Sequence, residues 1–274
     1  MKIQKRIIPP AVLQKFVDSI WISEKAACDT SIKAIPGTGS EMYVAINGGW
    51  SLAGHMQEPI MFSCMRNYAQ DVTILEGTVI MAVRFRFNAI RHFCNVPINE
   101  FLDELIPAYK IFGDAIIPLE QRLGSHMEQN VIVILSFLMN QLHINYKPEY
   151  FNQALIRQIY TDPQEKSISE LADDCNLSIR QFEKRFMAEM YVTAKQFQSL
   201  SRFNQVVKSC ILSRTKNYLP IVLDWGYYDQ AHFIKEFRNK AQITPLEFFT
   251  ENAFSTHFYN TGKADDYTFV KLKY

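Results

Sequence analysis

The sequence is short of the features that mark several large protein classes. Its five cysteines (Cys28, Cys64, Cys94, Cys175 and Cys210) are odd in number, scattered and never in a CxxC arrangement. That argues against a disulfide framework or a zinc ribbon and for reduced thiols acting as small hydrophobes. No uncharged apolar run reaches about 18 residues, and the longest candidate, 131–142, is too short to cross a bilayer. The opening stretch, MKIQKRIIPPAVLQKF, contains no apolar signal region. A soluble, cytoplasmic protein with no membrane partner is expected. His55, His92, His126 and His143 stand alone, without HxH or HExxH spacing, and no GxSxG, P-loop or GxGxxG occurs. No catalytic residue, metal site or cofactor is therefore expected.

Charge is also unremarkable overall. Over 274 residues the net charge is +1, with 48% hydrophobic and 21% charged residues, the balance of an ordinary globular chain. Such a total neither favours nor opposes nucleic acid, because a neutral protein can be basic on one face. The length suits two domains.

The two halves carry different periodicities. In the first, Val79, Met81, Val83, Phe85 and Phe87 alternate with Ile80, Ala82, Arg84 and Arg86, the pattern of a half-buried strand. Shorter strands are expected at 41–46, ended by Asn47-Gly48-Gly49, and at 60–64, with turns at Pro36-Gly37 and Glu76-Gly77. Residues 88–105 turn helical, interrupted at Val96-Pro97. From about Pro118 strand signals stop; Val131, Leu135, Leu138 and Leu142 line one face of a helix that Pro148 ends. The expected division is a β-rich (α+β, barrel-like) domain at 1–112, a helical linker at 113–148, an all-α domain at 149–250 and a tail at 251–274 without assignment.

The all-α part contains an internal repeat. Ile168, Leu171, Ala172 and Cys175 form one short apolar face; Asn176 suits a tight turn, Leu177 plugs it, and Ser178 is a good N-cap. Phe182 and Phe186 then anchor a second helix. Ile221, Val222 and Trp225, then Gly226, Tyr227, Asp229, Phe233 and Phe237 repeat the plan. From the caps onward each landmark keeps an offset of 51 residues (229 − 178), through Thr193/Thr244 and Phe197/Phe248, while the second turn gains one residue. Phe197, Leu200, Phe203, Val207 and Ile211 suit one long helix joining the units. This is a pair of helix-turn-helix units on a rigid connector, spaced to enter successive major-groove turns about 34 Å apart.

The faces opposite the phenylalanines carry the expected chemistry. Arg180, Gln181 and Lys184 on the first helix, and Gln230, Ala231, Ile234 and Lys235 on the second, are candidates for reading bases. Arg and Lys match guanine, Gln matches adenine, and Ala meets a thymine methyl. Arg185, Arg214, Lys216, Arg238 and Lys240 are candidates for phosphate contacts. Between 175 and 240 there are eleven Lys/Arg against five Asp/Glu. Glu183 sits beside the first face and would repel phosphate if it pointed there.

These residues resemble the AraC/XylS family of bacterial regulators over roughly 150–250. The resemblance rests on Leu171-Ala172, Leu177-Ser178-x-Arg180-x-Phe182-x-x-x-Phe186 and Arg202 in the first unit. In the second it rests on Trp225 through Phe233, Phe237, Thr244-Pro245 and Phe248. Where the family has Gly-x-Ser-Pro after each recognition helix, this chain has Tyr191-Val192-Thr193-Ala194 and Gln242-Ile243-Thr244-Pro245. The first half resembles some sensor domains of the same family through Pro10-x-x-Leu13-x-x-Phe16-Val17, Trp21, Glu24, Ile35-Pro36-Gly37 and the strand 83–87. The resemblance implies a sequence-specific transcription regulator with a small β-rich module for ligand sensing or dimerisation. Its expected partners are double-stranded DNA, a small-molecule effector, a second copy of the chain, and RNA polymerase if it activates.

Within the first half, Arg84 and Arg86 share a strand face and are candidates to hold an anionic effector, against the plainer reading that they are solvated. Trp21 and Trp50 are candidates to line a sensor pocket, against a role in the core. Two other classes stay open: an interaction or oligomerisation protein that kept the fold without specific DNA binding, and a metal-dependent β-barrel enzyme.

Overall fold

The computed structural model describes residues 3–149, 151, 153–213, 217–250 and 267–269. Its first half is built of strands β1 (Ile3–Ile8), β2 (Val17–Ser23), β3 (Thr30–Ala34), β4 (Glu41–Ile46), β5 (Trp50–Leu52), β6 (His55–Met56), β7 (Ile60–Ser63), β8 (Gln70–Ile74), β9 (Val79–Phe85) and β10 (Leu105–Pro107). Among the described residues they make, with β11 (Tyr267–Phe269), a seven-stranded sheet in the order β10-β7-β4-β9-β2-β1-β11, and by themselves a four-stranded sheet in the order β3-β8-β5-β6. Strand β11 (Tyr267–Phe269) is the one described piece of the tail and runs parallel to β1.

Strand β9 lies between β2 and β4 and is antiparallel to both. Met81, Val83 and Phe85 enter the larger core of the sheet, whereas Ile80 and Ala82 face the small sheet beside Trp21, Trp50 and Val72. Its alternation therefore separates two buried faces, not a buried and a wet one. A strand in the middle of a sheet covered on both sides has no solvent face to keep polar. Leu105, expected on a helix, lies on β10; the preceding stretch holds only short 3-10 turns at Ala89–His92 and Ile98–Phe101.

Helices α1 (Tyr109–Phe112), α2 (Ile117–Arg122) and α3 (Met127–Asn145) follow. Val131, Ile134, Leu135, Leu138 and Leu142 of α3 share one buried cluster with Ile20, Met42, Phe62 and Phe85 of the sheet. The segment 113–148 thus covers the sheet and belongs to its core, where the sequence suggested a connecting linker.

The second half holds α4 (Gln153–Thr161), α5 (Ile168–Asp174), α6 (Ile179–Met190), α7 (Ala194–Ser213), α8 (Leu219–Asp224), α9 (Gln230–Ala241) and α10 (Pro245–Thr250). Phe182, Phe186 and Phe197 are fully buried around the first unit; Phe203, Phe233 and Phe237 are fully buried around the second. Truncating any one to alanine would cost about 3–5 kcal/mol by the usual scale for buried aromatics. Helix α7 runs through both clusters as the shared connector.

The two halves are docked. Met65, Phe87 and Leu102 of the β-rich part complete the core of the first unit, and Ile35 completes that of the second. The Ala69 N–H donates to the Lys240 carbonyl at 2.7 Å. Asn88 donates from its side-chain amide to the Glu189 carbonyl, and Arg91 lies 3.8 Å from the Glu189 carboxylate.

Candidate nucleic-acid interface

Each unit is set by its caps. Ser167 and Glu170 form a reciprocal capping box at α5, and Ser178 and Gln181 form one at α6. Thr193 with Gln196 and Thr244 with Glu247 make the same reciprocal bonds at α7 and α10. At α9 Asp229 accepts the His232 N–H at 2.7 Å. These side chains satisfy N–H groups that a helix start leaves without partners. In the turns, Leu177 N–H reaches the Ala172 carbonyl and Tyr227 N–H reaches that of Val222. The two turns thus match up to those plugs, and the extra residue of the second is Tyr228, which is 89% exposed just before the cap.

Asn176 and Gly226 take the left-handed conformation in the two turns, with φ 54° and 72°. At Gly226 a side chain would also collide with Gln164, whose amide donates to the Asp224 carbonyl at 2.7 Å. That bond ties the segment before α5 to the second unit. Arg202 on α7 pairs with Glu236 on α9 at 3.1 Å and lies 4.5 Å from the Tyr227 ring centre, which fixes α9 to the connector. Burial, helped by Glu236, pushes the Tyr227 phenol well above its ordinary range.

On the outer faces, Arg180, Lys184, Arg185, Gln230, Ala231, Lys235 and Arg238 are exposed, and Ile234 is half-buried. Lys184 and Lys235 occupy equivalent positions, six residues beyond Ser178 and Asp229. Glu183 turns away: its carboxylate accepts the Ala194 N–H at 3.2 Å and so serves the start of α7.

Two expected contact residues are committed elsewhere. Gln181 uses its amide oxygen on the Ser178 N–H and hydroxyl, so it cannot present the donor–acceptor pair that adenine requires without opening the cap. Lys240 is half-buried against the β-rich half, its carbonyl holding Ala69 and its ammonium 5.9 Å from the Phe203 ring centre. Burial pulls its pKa below the ordinary lysine value, with Glu236 opposing. Its side chain thus packs on Phe203 of α7 and is only partly presented to the outer surface. Arg214 and Lys216 lie outside the described residues.

The sensor-side candidates separate. Trp21 and Trp50 do line a space between the two sheets, about 380 Å3 including a part open to solvent, together with Tyr43, Arg66, Val72 and Ile80. Arg84 and Arg86 do not. Arg84 lies 3.7 Å from Glu41; Arg86 lies 3.3 Å from Asp18 and donates to the Gln14 carbonyl at 2.7 Å. Burial alone would raise the Asp18 carboxyl, but Arg84, Arg6 and Arg86 outweigh it and hold it below the ordinary value. These guanidiniums serve internal carboxylates, a use that alternation along a strand does not announce. A lining residue that no sequence pattern announces is Arg66, 7% exposed, in a stretch without periodicity.

Of the rival enzyme's metal site, the described residues contain no group of three or more His, Cys, Asp or Glu able to hold a metal ion. His92 is buried, stacked on Tyr146, and accepts the Lys147 N–H. Burial, then Arg91, lowers its pKa to about 4, so it is neutral beside Glu149 at neutral pH. The five thiols are free, with Cys28 exposed and Cys64, Cys94 and Cys210 buried. No described helix is long and apolar enough to cross a membrane.

Comparison with known proteins adds the following. The family described as Domain of unknown function (DUF6597) matches residues 5–107, the strand-rich half. No curated protein matches the chain. Similar solved structures include an apo variant of ToxT from Vibrio cholerae, at 10% identity and TM-score 0.47, covering 84% of this chain and 97% of that one. ToxT from the same organism bound to an unsaturated fatty acid has 8% identity and TM-score 0.45, with 84% and 94% coverage. ToxT bound to a methylnaphthalenyl butenoic acid has 9% identity and TM-score 0.46, with 84% and 97% coverage. Likeness this distant leaves the functional reading to the residues of this chain.

Proposed function

We propose that this chain is a sequence-specific DNA-binding transcription regulator of the AraC/XylS type, which lays α6 and α9 in successive major-groove turns on one face of the duplex. The carrying observation is the equivalence of the two helices: each is capped at the same step, buried through the same pair of phenylalanines, and presents Lys184 or Lys235 at the same exposed position. Helix α7, 20 residues long, spans about 30 Å at 1.5 Å per residue, close to one turn of DNA. Arg180, Lys184, Gln230, Ala231, Ile234 and Lys235 read base edges; Arg185 and Arg238 hold phosphates. Residues 149–250 are the DNA-binding part, and 1–112 the sensing or pairing part. A second copy of the chain and, for an activator, RNA polymerase are the further protein partners. The cavity beside Trp21 and Trp50 is the effector site.

The test is fluorescence anisotropy of the purified chain with duplex fragments from its own gene neighbourhood at about 50 to 200 mM salt. A steep, linear fall of log affinity with log salt on one fragment is expected. No binding of any fragment at the lowest salt would sink the reading and leave an interaction protein.

A further inference from the structure

The space between the sheets is apolar on most sides yet contains hydrogen-bond donors that the chain does not satisfy in kind. Tyr43 packs edge-on against Trp21 and Trp50, with ring centres 6.2 and 5.6 Å apart, and Val72 and Ile80 close the walls. The indole N–H of Trp50 is used, donating to the Glu58 carbonyl at 2.9 Å. That of Trp21 is buried and has no hydrogen-bond partner among the described residues, an omission that native cores rarely tolerate without a reason.

The second donor is charged. Arg66 donates to the Gln70 amide oxygen at 2.9 Å and to the Ile35 carbonyl at 3.4 Å, both neutral acceptors. Among the described residues its guanidinium makes no ion pair, although a buried cation is ordinarily matched by a carboxylate. The nearby carboxylate, Glu41, lines a neighbouring cleft with Arg66 and Arg84; it accepts the Tyr43 phenol and lies 3.7 Å from Arg84, and it makes no ion pair with Arg66. Among the described residues the lining of this cavity therefore includes two residues with buried donors, one of them cationic, and no carboxylate.

We propose that this cavity binds a small organic carboxylate with a flat apolar body. Its anion pairs with Arg66, its body lies among Tyr43, Trp50, Val72 and Ile80, and an acceptor atom takes the Trp21 N–H. Calling the ligand an effector rests on the regulator reading above; its binding does not. A planar guanidinium fits a carboxylate by two parallel hydrogen bonds.

The test is calorimetric titration of the full chain with trans-cinnamate and indole-3-acetate, and with their neutral amides. One acid or both should bind one per chain, at least tenfold tighter than the matching amide. Arg66→Met should abolish that preference, Arg66→Lys should retain part of it, and Trp21→Phe should weaken binding severalfold. If Arg66→Met does not fold, the acid-to-amide ratio of Arg66→Lys against the parent decides. Failure of both acids to bind, equal affinity for acid and amide, or an unchanged ratio in the Arg66 variants would overturn the proposal. Measuring DNA affinity of the same preparation without ligand keeps this outcome separate from the fate of the regulator reading.

Discussion

Tyr191 and Gln242 occupy the same left-handed backbone conformation, φ 59° and 61°, each closing the second helix of its unit (α6 or α9) by an N–H bond to the carbonyl four residues back, Met187 and Arg238 respectively. These are the positions where the resembled family carries glycine. The chain keeps the geometry without the residue that adopts it freely, so the backbone strain of a side chain at positive φ is held by the surrounding packing.

Gln242 is exposed, so its side chain gives little packing in return. Gln242→Gly should stabilise the protein by about 0.5–1 kcal/mol in urea unfolding. Tyr191→Gly should gain less or lose, because the Tyr191 ring packs on the β-rich core. Destabilisation by Gln242→Gly would mean that the strain is absent.

The outer faces predict two kinds of DNA-binding variant. Arg180→Ala or Lys235→Ala should cost about 1–3 kcal/mol on the preferred site and relax preference at one base position. Arg185→Ala or Arg238→Ala should weaken all sequences alike and lower the salt slope by about one. Binding-site selection with randomised duplexes distinguishes them; uniform weakening by all four would remove the distinction between reading and phosphate residues.

Because Gln181 is held in its capping box, Gln181→Ala should lower stability by about 0.5–1 kcal/mol and leave the pattern of base preference as it was. A lost preference for adenine at one position, with stability unchanged, would return Gln181 to the reading surface.

His92 predicts a pH dependence. Its pKa of about 4 in the folded chain lies below the ordinary histidine value of 6.5, so between these values the unfolded chain binds more protons. Its contribution is present above about pH 6.5 and is lost as pH falls towards 4. Denaturant unfolding should show about 2 kcal/mol less stability from this group at pH 5 than at pH 7.5. His92→Phe should flatten that part of the profile; an unchanged slope would show that other groups produce it.

Docking of the halves bears on the fragment 149–250. Cut away from Ile35, Met65 and Phe87, both of its cores lose a wall. The fragment should fold and bind DNA with a lower melting temperature than the full chain. A fragment that stays unfolded would make the β-rich half an integral part of the DNA-binding fold.

The repeat was legible because its determinants are local: caps, turn residues and phenylalanines four apart act within a few residues and recur with one offset. Strands β4, β7 and β9 were legible from alternation and apolar runs, while β1, β2, β3, β5 and β8 offered less. In β2, Ser19 and Ser23 are buried beside Ile20 and Trp21, which blurs the period. Tertiary contacts also moved individual side chains: Gln181 into a cap, Lys240 against Phe203, and Arg84 and Arg86 onto Glu41 and Asp18.

The sequence by itself determined two capped helix-turn-helix units on one long helix and the residues their outer faces display, since helix period and capping depend on neighbours in the chain. Only the tertiary structure decided that 113–148 covers the sheet and that Met65, Phe87 and Ile35 seal the cores of the two helical units. It alone placed Trp21, Trp50 and Arg66 around one cavity. Those relationships join residues tens to more than a hundred positions apart, and no local period encodes which distant surface a buried side chain will meet.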